Sequence, residues 1–319
     1  MVDAAIGWLG NQPRFFLWVH LYDPHEWQVR MHHSASGERV WSGETPPDFR
    51  DRLLALHGLP PFVEGQPYTV QWGKDRPPEE RVQDSTLETL LRGIDHYDEL
   101  VRFADAQVAH LHAALEALAL PGRTLWIVTA DHGEGLASHQ TTGHGDRIFQ
   151  EQLHVPLILH ASDGSLGPRV VRELVGHIDL LPTLGETLGL RVRGDPRLFE
   201  GRSLLPLARG ETASWGARPL FAQRRPAEAK DQDRAEVYAL QDSDHKVIRA
   251  IPGEELVFDL GADPLELQAR ATEEAAAAEL RAGLDARLRT YQGLRSGEPR
   301  EASPEFLEEL RDLGYVGDD

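Results

Sequence analysis

T-L-W-I-V-T-A-D-H-G-E-G-L-A-S-H-Q-T-T-G-H-G, residues Thr124–Gly145, is the stretch from which the fold can be read. Its opening run, Leu125 to Ala130, is apolar and rich in β-branched residues, and it stops abruptly at Asp131 and His132. Such a run bounded by glycines reads as a buried strand. In open α/β sheets, ligands bind just beyond the carboxyl ends of strands. Asp131 and His132 therefore stand where a metal or an anionic group would be held. The same letters also fit a plain turn, with Asp131 as its cap and His132 in solvent. Taken alone, these residues leave both readings open. His139 and His144 follow in a loop of Gly, Ser and Thr.

Working outward, Phe15–Leu21 (F-F-L-W-V-H-L) is nearly all apolar and predicts a strand buried on both faces. It runs into Y-D-P-H, where Pro24 forces a turn and leaves His20 and His25 at the strand's exit. Residues 26–80 are irregular, with proline pairs at Pro46-Pro47, Pro60-Pro61 and Pro77-Pro78. A stretch this long fits a lid or a specificity segment, and surface decoration equally well. Ser85 and Glu88 match a capping box. From there Leu87, Leu90, Leu91, Ile94, Tyr97, Val101, Val108, Leu111, Leu115 and Leu118 keep helical spacing until Pro121 and Gly122 end the helix. His96, His110 and His112 on that helix read as ordinary packing or surface residues. Val155–His160 is another strand, and His177–Leu190 another helix with Pro182 in its first turn. The order strand, helix, strand, strand, helix predicts an α/β domain, a mostly parallel sheet flanked by helices.

The pattern changes near residues 208–217, where Gly, Ser and Thr replace periodic apolar residues. Short strands are expected at Pro219–Gln223, Val237–Gln241, Lys246–Ala250 and Glu255–Asp259, with Asp242-Ser243-Asp244 and Pro252-Gly253 as turns. Helices are expected at about 265–291 and at 304–313. The chain thus divides into an α/β domain, residues 1–212, and a smaller antiparallel α+β domain, residues 213–319.

The formal charge of −19 argues against a nucleic-acid partner, which needs clustered basic surface. It leaves room for an anionic ligand at a locally electropositive site. There is no cysteine, which removes disulfides, thiolate metal sites and cysteine nucleophiles and makes the redox compartment unreadable. No apolar run approaches the roughly 20 residues that span a bilayer. The start, M-V-D-A-A-I-G-W-L-G, lacks the features of a signal peptide. Localisation stays open.

What remains as chemistry is histidine and carboxylate: His20, Asp23, His25, Asp131, His132, Glu134, His139 and His144. An Asp with a His suits a divalent cation. Two ligands are too few, so others must come from elsewhere. Histidines not on the metal can act as general acids or hold an anion near neutral pH.

The ordered segments F-F-L-W-V-H-L-Y-D-P-H, T-A-D-H-G-E-G-L, T-G-H-G-D-R-I-F-Q-E-Q-L-H-V-P-L-I-L, H-I-D-L-L-P-T-L, G-R-S-L-L-P-L, H-K-V-I-R, E-L-V-F-D-L-G-A-D-P-L-E and L-R-D-L-G-Y-V-G carry a resemblance. Together they resemble the C-terminal two thirds of a sulfatase of the alkaline phosphatase superfamily. The resemblance implies an alkaline-phosphatase-like α/β domain with a smaller C-terminal antiparallel sheet, and hydrolysis of sulfuric esters. It implies that Asp131 and His132 are a pair of metal ligands, with Ca2+ expected and Mg2+, Mn2+ or Zn2+ compatible. His25 matches a histidine that meets the sulfate or the leaving oxygen, and His144 matches a Lys or His that binds the ester anion. His20 and His139 would stand behind these residues, and Glu134 would support the loop.

Members of that family begin with an Asp pair that supplies further metal ligands, followed by Cys-X-Pro-Ser-Arg or Ser-X-Pro-Ser-Arg, whose first residue becomes a formylglycine nucleophile. Neither segment is present here. The expectation is a truncated chain, inactive alone, whose formylglycine belongs to an absent N-terminal region, with a separate N-terminal half as one possible complement. Such a sheet would expose edges and apolar faces, so a poorly soluble or oligomeric chain is expected. Relatives are often exported. Two other functions stay open: hydrolysis of a phosphodiester or phosphonate, or phosphotransfer, by the same superfamily chemistry, and a non-catalytic binding or scaffold remnant.

Overall fold

The computed structural model describes residues 1–10, 12, 14–26, 69–70, 85–118, 122–136, 139, 142–145, 147–190, 200–224, 235–270 and 277–295. Of the irregular stretch 26–80 only Glu26 and Thr69–Val70 are described, and the expected helix at 304–313 lies outside the described residues.

Helix α1 (Val2–Leu9) lies against the long helix α2 (Leu87–Ala117). Val2 and Leu9 of α1 and Leu111 and Leu115 of α2 form one buried cluster, the contact that helical spacing of apolar residues produces. Two-residue strands β1 (Thr69–Val70) and β2 (Ser85–Thr86) pair just ahead of α2. Ser85 therefore opens a strand, two residues ahead of the helix, which begins at Leu87.

Strand β3 (Leu125–Thr129) is where the sequence placed it. It pairs with β6 (Leu157–Ala161) in antiparallel register, from Leu125 opposite Ala161 to Thr129 opposite Leu157. Every strand pairing among the described residues is antiparallel, so they do not display the mostly parallel sheet that the sequence predicts. Between β3 and β6 the described residues form the small ribbon β4 (Gly135–Leu136) with β5 (Thr142–Gly143) and the four-residue helix α3 (Gln150–Leu153). Leu157 and Leu159 of β6 pack on Leu204, Leu207 and Trp215, while Trp126 of β3 joins the α1–α2 cluster. One face of the pair is thus covered, while on the other Ile158 stays 57% exposed.

Phe15–Leu21 differs from its reading as a doubly buried strand. It has no strand partner among the described residues, yet it keeps the alternation of one. Phe15, Leu17, Val19 and Leu21 pack against the α1–α2 cluster, whereas Phe16 and Trp18 are 65% and 77% exposed. One face is anchored and the other is bare.

The expected helix at 177–190 is a 3₁₀ turn, His177–Asp179, running into α4 (Leu180–Leu188). It stops at Gly189, whose φ of 65° is the left-handed cap that glycine adopts without strain. Helix α5 (Leu205–Arg209) follows. Asp179 is fully buried and is bonded by the Arg218 guanidinium and by the backbone N–H groups of Gly176 and Arg202.

The C-terminal strands agree with the sequence to within a residue or so: β7 (Leu220–Arg224), β8 (Glu236–Gln241), β9 (His245–Ile251) and β10 (Glu255–Asp259) form one antiparallel sheet in the order β10-β9-β8-β7. Helix α6 (Ala278–Arg295) begins later than expected, since residues 265–270 form a loop that ends in a bridge from Arg270 to Val257. Leu280, Leu284 and Leu288 of α6 cover one face of the sheet through Tyr238, Leu240, Val247 and Val257. The other face, with Ala239, Ile248 and Phe258, is covered by Ile148 and Phe149 from the loop after β5. Among the described residues, no helix is long and apolar enough to cross a membrane.

Candidate active site

The D-H-G turn at the end of β3 is fixed from behind. Gly133 donates its N–H to Gln152 O at 2.8 Å, and a Cβ at Gly133 would fall 2.1 Å from Glu151 O. Only glycine allows α3 to approach the turn this closely. Asp131 Oδ1 then accepts the His132 N–H at 3.0 Å. His132 Nδ1 lies 2.8 Å from Gly133 O, and because a carbonyl can only accept, Nδ1 carries the proton. In the neutral ring the lone pair is therefore on Nε2, which lies 3.7 Å from Asp131 Oδ2. Burial alone would raise the Asp131 carboxyl. The His132 ring and N–H and the more distant His20 outweigh it and hold the carboxyl below its ordinary range.

His144 closes the site from the other side. Its Nδ1 lies 3.1 Å from Glu134 Oε2, and the buried Glu134 also accepts the Gly135 N–H through Oε1 at 3.1 Å. The His144 ring is 4.0 Å from the His132 ring and 4.9 Å from the His25 ring, centroid to centroid. His25 is on a 3₁₀ turn, Asp23–Glu26, and stacks on Tyr22 at 4.4 Å, with His20 edge-on to Tyr22 at 6.1 Å. Asp131, His132, His144, His25 and His20 thus gather at one end of β3, with Glu134 behind them.

His139 packs against α3 and the loop after β10. Its ring stacks on Phe149 at 3.8 Å, its Nε2 donates to Glu266 O at 3.0 Å, and its Nδ1 lies 3.1 Å from Glu151 Oε1, poorly aligned for a hydrogen bond. Burial would lower this imidazole, but Glu151 and Glu266 more than offset that and raise it above its usual value.

Several neighbours carried no recognisable sequence signal. Tyr97 of α2 has its hydroxyl pushed up by burial, then by the charges of Glu134 and Asp98. His177 Nε2 meets Thr129 Oγ1 at 3.2 Å at the end of β3. Tyr22, in Y-D-P-H, reads from sequence as part of a turn. Lys246 and Glu266 lay inside H-K-V-I-R and E-L-V-F-D-L-G-A-D-P-L-E, where only a buried contact could single them out.

As a cation site the donor chemistry fits and the donor number does not. An imidazole lone pair and a carboxylate oxygen facing each other are satisfied by a shared cation, which each would hold at about 2.0–2.6 Å. Among the described residues, however, no group of three or more metal-ligating side chains is assembled. Asp131 and His132 by themselves offer only two donors.

Comparison with known proteins bears on the same region. The family model Sulfatase matches residues 1–190. The multifunctional alkaline phosphatase superfamily protein PehA of Trinickia caryophylli is 29% identical over 196 residues, covering 58% of this chain and 37% of its own. Arylsulfatase K of Xenopus laevis is 28% identical over 186 residues, covering 54% and 32%. Among solved structures, that of BT1596, a 2-O GAG sulfatase, superposes with a TM-score of 0.64 at 21% identity, over 95% of this chain and 65% of the other. It shares the fold. The matched region is about a third of the length of the curated relatives.

Proposed function

Given that the chain belongs to the sulfatase family, we propose that it forms the cation-binding and leaving-group side of a sulfuric-ester hydrolase of alkaline-phosphatase-like fold, whose central sheet in the complete enzyme is mostly parallel. The observation that carries this reading is the gathering of Asp131, His132, His144 and His25 around one end of β3, with Glu134 bonded to His144.

Asp131 and His132 hold a divalent cation, Ca2+ in the first instance, with Mg2+, Mn2+ or Zn2+ compatible. Bound there, the cation would supply Lewis-acid polarisation of the ester oxygens. His144, with Nδ1 committed to Glu134, has Nε2 left to meet an anionic oxygen or to carry a proton to the leaving oxygen. His25, stacked on Tyr22, offers a second donor to the same charge. The substrate is a sulfate ester. The complete site that the family resemblance implies needs further cation ligands and a formylglycine nucleophile, supplied by polypeptide that carries them.

Calorimetric titration with CaCl2 and MnCl2 tests the cation half of the reading: the chain takes up an ion and Asp131→Ala does not. Hydrolysis of 4-nitrophenyl sulfate against 4-nitrophenyl phosphate, with the nucleophile-bearing polypeptide supplied, tests the ester half. Loss of sulfate hydrolysis on His144→Ala is expected. Equal or faster phosphate hydrolysis would move the reading to the phosphoester branch, which the likeness to a multifunctional superfamily protein keeps in view.

A further inference from the structure

We propose that Lys246 and Glu266 of the C-terminal sheet are positioning residues that grip the loop carrying His144 from both sides, an inference that rests on the role given to His144 above. Lys246, in β9, and Glu266, in the loop after β10, are 0% and 2% exposed, and their Nζ and Oε1 lie 2.7 Å apart. Lys and Glu are almost never buried this fully unless paired. Each also holds a backbone group of the segment that follows His144. Nζ donates to Ile148 O at 2.7 Å, and Oε2 of Glu266 accepts the Gln150 N–H at 2.5 Å. The carbonyl of the same Glu266 accepts from His139, which precedes His144. Gln150 Nε2 adds a bond to Gln241 Oε1 of β8 at 3.2 Å.

Glu266 has a φ of 57°, a left-handed conformation that is costly for a residue with a side chain and that persists where its surroundings fix it. Both its carbonyl and its carboxylate serve the loop. The grip extends further, since α3 begins at Gln150 and its Gln152 carbonyl takes the Gly133 N–H behind Asp131 and His132. An apolar pair of similar volume could fill the space with equal or better stability. It could not accept the Gln150 N–H or donate to the Ile148 carbonyl. Orientation of the loop, rather than bulk stability, is what this ion pair supplies.

Amide hydrogen exchange on the full chain tests this without any assay of activity, so it stands or falls separately from the sulfatase reading. In the unsubstituted protein the amides of Ile148–Leu153 should open with the same free energy as those of β9, as one cooperative unit. In Lys246→Met/Glu266→Leu, exchange at residues 142–145 and 148–150 should rise roughly tenfold or more, as loss of a buried charged hydrogen bond implies. The β8 and β9 amides and the melting temperature should stay close to their original values. Glu266→Gln keeps an acceptor for Gln150 but leaves the Lys246 ammonium without its counter-charge, so loop and β9 amides should open more readily together, the loop by no more than about threefold beyond β9. Carbethoxylation of His144 by diethyl pyrocarbonate should quicken only where the loop is released. Loop amides that open far more readily than β9 in the unsubstituted protein would overturn the proposal. So would a double variant with intact β9 and unchanged loop exchange. If the double variant does not fold, the unsubstituted protein and Glu266→Gln decide.

Discussion

His144 and Glu134 face each other across the β4–β5 ribbon, Nδ1 to Oε2 at 3.1 Å, and the carboxylate is buried beneath the ring. Removing Glu134 strands two donors at once, His144 Nδ1 and the Gly135 N–H. Glu134→Ala should therefore destabilise the chain by about 1–3 kcal/mol. Glu134→Gln, which still accepts from Gly135, should cost less. Urea unfolding of the two variants side by side measures the difference, and equal losses would mean that the charge itself is what the site needs.

Gly133→Ala should be worse than its size suggests. The new methyl would lie 2.1 Å from Glu151 O, a backbone atom of α3 that cannot swing aside. The expected loss is about 1–3 kcal/mol from overpacking. Because Asp131 and His132 ride on the same turn, calorimetry with CaCl2 should show weakened binding in the variant that still folds. Unchanged binding would show that the turn tolerates the shift.

The His139 contact gives a signed pH dependence. Its imidazole is raised above the ordinary 6.5 because Glu151 and the Glu266 carbonyl outweigh the cost of burial against Phe149. A group raised on folding contributes stability that is fully present below its unfolded value and is lost as pH climbs through the folded one. The stability advantage of the unsubstituted chain over His139→Phe should therefore be larger at about pH 5.5 than at about pH 8.5. A difference independent of pH would show that the ring is never charged there.

Arg218→Met leaves Asp179 fully buried with its two backbone donors but no counter-charge. Breaking a buried pair on one side costs about 3–5 kcal/mol. Thermal unfolding should show a large drop that Arg218→Lys recovers only in part, since an ammonium cannot reproduce the fork.

Phe16 and Trp18 form the bare face of Phe15–Leu21. Exposed apolar rows beside unpaired backbone promote association. Sedimentation velocity should show self-association that Phe16→Ser/Trp18→Ser reduces. A strictly monomeric unsubstituted chain would show that this face is quiet in water.

The parts of the fold written in local pattern were legible. The turns at Asp242-Ser243-Asp244 and Pro252-Gly253 fixed the C-terminal strands, and the spacing of Leu87 to Leu118 fixed α2. The direction of β6 was not legible, because an apolar run such as Val155–His160 carries no sign of whether its neighbour runs with it or against it. Phe15–Leu21 shows the same limit, since alternation marks a strand but not whether a partner lies alongside. At the site, Asp131, His132 and His144 stood out by residue type. His139 shared that type, but its environment is set by Glu151 and Phe149, which its own loop does not reveal. Lys246 could not be distinguished from a solvated lysine until β9 placed it at 0% exposure.

Ile148 and Phe149 come from the loop after β5, yet their side chains complete the core under Ala239, Ile248 and Phe258. Recombination between relatives meets an obstacle here. A chimera joined near residue 212 would inherit a plug from one parent and its socket from the other. Matching the strand ends would not suffice, because a mismatch in volume at Phe149 would be felt at His139 and, through α3, at the D-H-G turn.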